Sequence, residues 1–217
     1  MGKCVIVYGR SGVGKSRSLK EFKEDEIYLV NVLGKPLPFK GGFRMVSETA
    51  DVQTIMKGLS KMPCKIAVID DAGYLMTKMF MDGHGGGDQF KLYNNIADTI
   101  WSLISFIQSP AVSPDAIVYL VFHEETNDDG TNKIRTIGKL LDQKVCLEGM
   151  ATVVLRAVVK GDKHVFVTQN DGYSIAKSPE GMFSEVEIDN DLKAVDTAMR
   201  SFYGMKPSIE KTKKEAR

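Results

Sequence analysis

The stretch Gly9-Arg10-Ser11-Gly12-Val13-Gly14-Lys15-Ser16 constrains this chain more than any other. It follows residues 3–8, a nearly continuous apolar run of strand length, and it opens residues 14–22, which read as a helix. Strand, glycine-rich turn and helix in that order make one unit. The glycines let the backbone wrap with its N–H groups turned inward, toward phosphate oxygens, assisted by the positive end of the helix dipole. Gly9, Arg10, Ser11, Gly12, Val13, Gly14, Lys15 and Ser16 are therefore all candidates for holding a nucleotide. Lys15 would reach the β- and γ-phosphates, and the Ser16 hydroxyl would ligate Mg²⁺. A chance match in a loop containing glycine and lysine is the alternative; the strand before it and the helix after it weigh against that.

Such a loop needs a carboxylate at the end of a neighbouring strand to hold magnesium through water. Ile66-Ala67-Val68-Ile69-Asp70 has that form, four apolar residues and then an acid at the C-terminal edge. Asp70 is thus the metal candidate, against the plainer reading of a strand-ending turn residue. Asp71 follows directly, where many ATPases keep a glutamate that polarises the attacking water. One methylene shorter, Asp71 is the candidate general base. His123 ends the apolar run 118–122, where it either touches the γ-phosphate and reports its loss to the following loop or simply caps a buried strand. Lys133, Arg135 and Lys139 lie just beyond. Each reads as solvated surface charge or as an arginine-finger-type residue toward a neighbouring subunit's nucleotide.

Around these motifs, short β-rich runs alternate with helical patterns, which predicts an α/β fold with a mainly parallel sheet flanked by helices. Residues 27–32, 65–70 and 116–122 read as further strands, 34–43 as a loop, and 50–59 as a helix. The clearest helix is 90–107, where Tyr93, Ile96, Ile100, Leu103, Ile104 and Ile107 recur at three- and four-residue spacing. Residues 139–147 suggest a short helix. Residues 152–159 and 164–168 flank Lys160-Gly161-Asp162-Lys163 and predict an antiparallel hairpin at the end of the sheet. A last amphipathic helix covers 191–202. The expected organisation is one domain over 1–205 and a basic, disordered tail over 206–217, with five basic and two acidic residues.

Composition excludes several classes. With 217 residues, 43% hydrophobic and 26% charged, the chain is neither disordered nor fibrous. A formal net charge of +1, from 29 basic and 28 acidic residues, sets up no global field for a nucleic acid or a membrane, so any such partner needs a local patch. Apolar runs are strand-sized and too short to span a membrane. The three cysteines, Cys4, Cys64 and Cys146, share no CxxC-type spacing and read as small core residues in a reducing compartment rather than as a zinc site. The expected location is the cytoplasm.

With those residues placed, the chain resembles the RecA-like AAA-family ATP-binding proteins encoded by bacteriophages, core-only relatives of RecA, some of which act as single-strand annealing recombinases. The resemblance rests on residues 9–16 and 66–71, and on Thr136-Ile137-Gly138-Lys139, Leu155-Arg156, Thr168-Gln169-Asn170-Asp171-Gly172 and Ala176-Lys177-Ser178-Pro179 in the C-terminal half. It covers about residues 3–203. It implies a RecA-like P-loop NTPase acting in phage DNA recombination or replication, in the host bacterial cytoplasm. ATP and Mg²⁺ would be bound between adjacent subunits of a homo-oligomer. Two mobile loops of RecA-like proteins contact single-stranded DNA; the matching segments are 82–88, rich in glycine, and 124–135. In the second, Glu124, Glu125, Asp128 and Asp129 would repel phosphates and only Lys133 and Arg135 would help. Phe80 and Phe90 flank the first. RecA proteins also place a catalytic glutamate near the end of the strand after the phosphate-loop helix. Here Asn31 stands there, so hydrolysis should be slow unless Asp71 takes over.

Three functions fit these readings: a DNA-dependent ATPase or annealing protein, a nucleotide-gated assembly protein with negligible turnover, and a small-molecule P-loop kinase. The last normally needs an arginine-rich lid, and the loops here are glycine-rich or acidic.

Overall fold

In the computed structural model, which describes residues 1–208, the apolar runs assemble into one central sheet with helices on both faces. Among the described residues the strands are β1 (Lys3–Gly9), β2 (Tyr28–Asn31), β3 (Met45–Ser47), β4 (Ile66–Asp70), β5 (Ile117–Thr126), β6 (Asn132–Ile134), β7 (Val153–Lys160), β8 (Lys163–Val167) and β9 (Glu187–Asp189). The helices are α1 (Val52–Lys61), α2 (Gly73–Gly83), α3 (Gln89–Ile107), α4 (Lys139–Gln143), α5 (Leu147–Met150) and α6 (Leu192–Tyr203). The sheet order is β3-β2-β4-β5-β1-β7-β8-β9, and β6 pairs with β5 off that path. Strands β3 to β7 along this order are parallel, while β7-β8-β9 are antiparallel. This is an α/β arrangement, mainly parallel with antiparallel strands at its C-terminal side.

The parallel strands read as unbroken apolar runs because both faces are covered. Along β1, Cys4, Ile6 and Tyr8 pack on the face carrying α1, α2 and α3, while Val5 and Val7 pack on the face carrying Leu19, Phe22 and α6. In α3, Ile96, Ile100, Leu103, Ile104 and Ile107 form the buried stripe, and the Asp88 carboxylate accepts from the Lys91 N–H at its start. Asp51 and Asp191 cap α1 and α6 in the same way.

The order of the strands creates the site. Parallel strands β1, β5, β4 and β2 lie side by side and bring Gly9, His123, Asp70 and Asn31 to one edge, and the register pairs Gly9 with His123 and Asn31 with Asp70. Strand β5 separates the phosphate-loop strand from the strand bearing Asp70.

Several expectations need correction. Residues 14–22 do not form an α-helix; only one 3₁₀ turn, Ser16–Leu19, follows the loop. The Ser18 hydroxyl bonds the Lys15 carbonyl, competing with the helical ladder, and the chain beyond Leu19 must cross β5 and β4 to reach β2. The dipole expected behind the loop is correspondingly small. Residues 124–135 are not a long mobile loop, and His123 does not end its strand. The strand continues to Thr126, turns through residues 127–131, and returns as β6. Of the glycine-rich segment 82–88, Asp82 and Gly83 belong to α2, a helix hidden in the sequence because Leu75 and Met76 are its only buried residues. Strand β9 pairs beyond β8, so the hairpin is not the end of the sheet. Of the cysteines, Cys4 is buried but Cys146 is exposed. Residues 209–217, which include most of the expected basic tail, lie outside the described residues.

Candidate functional site

The loop 9–16 takes its shape from three glycines. A Cβ on Gly9 would stand 2.5 Å from the Ala157 carbonyl oxygen of the neighbouring strand, so only glycine can leave β1 there. Gly12 and Gly14 have φ of +81° and +94°, a conformation that side chains disfavour. Behind the loop, His164 bonds the Val13 carbonyl through Nδ1 at 2.9 Å. A carbonyl only accepts, so Nδ1 carries the hydrogen. A Cβ on Gly14 would meet that same Nδ1 at 2.7 Å. Lys15 is nearly buried, and its ammonium donates to the carbonyls of Gly9 (2.9 Å) and Arg10 (2.7 Å). Burial lowers its pKa, with Asp71 and Asp70 opposing that shift.

Across β5, the Ser16 hydroxyl donates to Asp70 Oδ1 at 3.1 Å. Burial raises the Asp70 pKa, although the Ser16 bond favours its charged form. A buried carboxylate beside a hydroxyl is a hard-oxygen pair that suits Mg²⁺, which takes one or two protein oxygens together with phosphates and waters. Among the described residues no group of three or more His, Cys, Asp or Glu offers an all-protein metal site. The Ser16–Asp70 pair would fit a Mg²⁺ that arrives with nucleotide phosphates.

Asp71 is the only described non-glycine residue at positive φ, +58°. The kink swings its carboxylate sideways from the strand axis. Oδ1 meets His123 Nε2 at 3.3 Å and Oδ2 meets Lys35 Nζ at 3.2 Å. The His123 contact, then Lys35, holds the Asp71 carboxyl below the usual carboxylate range against the effect of burial. Lys15, Ser16, Asp70, Asp71 and His123 thus converge on one cavity of 310 Å³, and Asn31 lines it as well.

Other expected residues do not converge there. Lys133 pairs with Glu125 and Asp142, away from the cavity. Arg135 and Lys139 are exposed and do not line the cavity, although the Arg135 N–H donates to the His123 carbonyl at 2.9 Å. The acidic character of that hairpin is largely internal: buried Glu124 pairs with Arg156 at 3.0 Å and with Arg10 of the loop at 3.2 Å. Sequence reasoning missed Lys35 and His164. Lys35 lies in an irregular segment, where only its place between Gly34 and Pro36 hints at a fixed presentation, and His164 reads from the sequence only as a residue of the hairpin strand 164–168.

A family model described as an AAA domain matches residues 1–179. No curated protein matches the chain. Among solved structures, a KaiC-like protein from the hyperthermophilic archaeon Pyrococcus horikoshii OT3 aligns with a TM-score of 0.47 at 14% identity, covering 76% of this chain and 77% of that chain.

Proposed function

The chain belongs to the AAA domain family, and on that premise we propose that it binds ATP with Mg²⁺ at residues 9–16 and hydrolyses it slowly. The observation that carries this reading is the bond from Ser16 to Asp70 across an intervening strand, with Lys15, Asp71 and His123 around the same cavity. Lys15 would leave its carbonyl partners for the β- and γ-phosphates, and Ser16 and Asp70 would hold the metal. Bound Mg²⁺ would neutralise charge on the phosphates. Asp71 would orient the attacking water and accept its proton, with His123 fixing the carboxylate. A carboxylate held at low pKa is a weak base, which supports slow turnover.

Single-stranded DNA is the effector we propose, in recombination or replication of a phage, with the nucleotide between copies of a homo-oligomer. The family resemblance supports the phage setting and the oligomer. Position supports the DNA contact: the Ile107 carbonyl, at the end of α3, lies beside Gly2 at the start of β1. The start of α3 and residues 84–88 therefore stand toward the opposite edge, the one bearing the site. There Phe80, Phe90 and Tyr93 line a 700 Å³ groove with residues 136–140, and aromatic faces suit stacked bases. The pairing of Glu124 and Glu125 with Arg10, Arg156 and Lys133 removes much of the repulsion read from the sequence. It also engages one of the two expected basic contacts, so binding should be weak.

One observation favours a second reading, a nucleotide-gated assembly protein without turnover. The Asn31 carboxamide, at the position of a RecA glutamate, is engaged with the Lys35 backbone. ATP hydrolysis measured with and without single-stranded DNA, beside sedimentation with and without nucleotide, separates the two. Turnover accelerated by DNA supports the ATPase; nucleotide-dependent assembly without phosphate release supports the second.

A further inference from the structure

The cavity receives a second ammonium group from the wall opposite Lys15. Lys35 lies in the loop after β2, and everything about its backbone is held. The Asn31 Nδ2 donates to the Lys35 carbonyl at 2.8 Å, and the Lys35 N–H donates to Asn31 Oδ1 at 3.3 Å, so one carboxamide brackets both sides of the residue. Gly34, at φ +63°, turns the chain, and its N–H bonds the Asn31 carbonyl. Pro36 follows and narrows the backbone further. The side chain then crosses to the cavity: Nζ is 3.2 Å from Asp71 Oδ2 and 5.3 Å from the Tyr74 ring centre.

With the Lys35 side chain more than half exposed, this ion pair contributes little to stability. The bracket therefore needs another reason. A cation aimed from β2 at the carboxylate beside the metal site is placed to meet negative charge brought in by a ligand.

We propose that Lys35 is a phosphate-contacting catalytic residue supplied by this chain itself, and that Asn31 is its positioning residue. The assignment rests on the nucleotide reading above. When a triphosphate fills the cavity, Lys35 turns from Asp71 to the oxygens of the terminal phosphoryl group. As the water oxygen bonds phosphorus and the bond to the bridging oxygen breaks, negative charge shifts toward the leaving diphosphate. Lys35 stays protonated and stabilises the negative charge on the terminal phosphoryl oxygens through the transfer, the water's proton passes to Asp71, and ADP and phosphate leave. Asn31 acts only through Lys35. A carboxamide serves there where a glutamate would not, because the bracket needs a donor as well as an acceptor.

The test compares Mg²⁺-dependent binding of ADP and of a non-hydrolysable ATP analogue by calorimetry, in wild type, Lys35→Ala, Lys35→Arg and Asn31→Ala, with thermal unfolding as a check on folding. Lys35→Ala should lose about tenfold or more in affinity for the analogue while ADP affinity changes less than about twofold. Turnover should fall on the order of 10²- to 10³-fold. Lys35→Arg should recover most of the analogue affinity. Asn31→Ala should lower kcat and weaken analogue binding in the same direction as Lys35→Ala but by less, with ADP affinity kept and the unfolding midpoint unaltered. If wild type prefers the analogue and Lys35→Ala keeps that preference, or loses both ligands equally, the Lys35 assignment is overturned alone. If wild type binds neither ligand, the nucleotide reading falls and takes this assignment with it.

Discussion

Ser16 Oγ and Asp70 Oδ1 lie 3.1 Å apart although 54 residues separate them in the chain and a whole strand separates their elements in the sheet. The contact closes because the loop after β1 bends over the end of β5 to reach β4. A hydroxyl and a buried carboxylate held in this way prepare a place for a hydrated divalent cation bearing phosphates, and most of the predictions below test that arrangement.

Lys15→Ala should abolish most ATP binding. Its ammonium is nearly buried and satisfied only by the Gly9 and Arg10 carbonyls, a state that a phosphate can replace with stronger charge-assisted bonds. Calorimetric titration decides it; equal affinity in mutant and wild type would remove the phosphate-loop assignment.

Asp70→Asn should stabilise the ligand-free protein while weakening Mg²⁺-dependent binding. Burial raises the Asp70 pKa, so keeping it ionised opposes folding at neutral pH, and that cost shrinks as pH falls through the raised folded value. Removing the charge should gain on the order of 1 kcal/mol, about 2–4 °C in Tm. The variant should show a smaller Tm rise with Mg·ATP than wild type. Differential scanning calorimetry with and without Mg·ATP reads both effects, and a lower Tm for the apo variant would contradict the argument.

Asp71→Asn should leave ATP binding nearly intact and abolish turnover. Because His123 and then Lys35 hold this carboxyl below the usual range, its folded pKa lies below the unfolded one. The stabilisation it provides is complete above the ordinary carboxylate value and disappears only as pH falls through the lower folded value. An acidic limb above about pH 5 in kcat/KM, which reports the ligand-free protein, must then come from another group. Wild-type hydrolysis by Asp71→Asn would show that the base lies elsewhere.

Gly14→Ala should disrupt the loop at two levels. The backbone at φ +94° opposes a side chain, and the new methyl would press on His164 Nδ1 at 2.7 Å. Strain of this kind costs about 1–3 kcal/mol. Circular dichroism melts and nucleotide titrations should show both a lower Tm and weaker binding, and Gly12→Ala, whose Cβ would meet nothing within 4 Å, should be milder.

Binding to single-stranded DNA should be weak, independent of sequence and shallow in its salt dependence, with two or three phosphates neutralised per chain as an order-of-magnitude expectation. Phe90→Ala should lower affinity, because Phe90 is 78% exposed at the mouth of the aromatic groove. Fluorescence anisotropy with a labelled oligonucleotide, Mg·ATP and varied salt tests this. No binding at low salt would discard DNA as the effector and favour nucleotide-gated assembly.

What the sequence alone determined is short-range. Residues 9–16 specify their own bend, because each glycine acts through φ and Cβ limits that travel with the residue. The runs 3–8 and 66–70 specify buried strands, and the period in 90–107 specifies a helix, because a buried face repeats with the geometry of its own element. What only the tertiary structure decided depends on which strands are neighbours. The 3₁₀ turn after Lys15 replaced the expected helix, with the Ser18 hydroxyl bonded to the Lys15 carbonyl in place of a longer helical ladder. Residues 124–134 paired into a hairpin through backbone bonds around the 127–131 turn, with Glu125 meeting Lys133 across it and Glu124 meeting Arg156 of β7. Lys35 joined the site because β2 lies beside β4, which sets Asn31 level with Asp70. A contact between side chains on different strands depends on sheet order and register, and neither is written in the local spacing of residues.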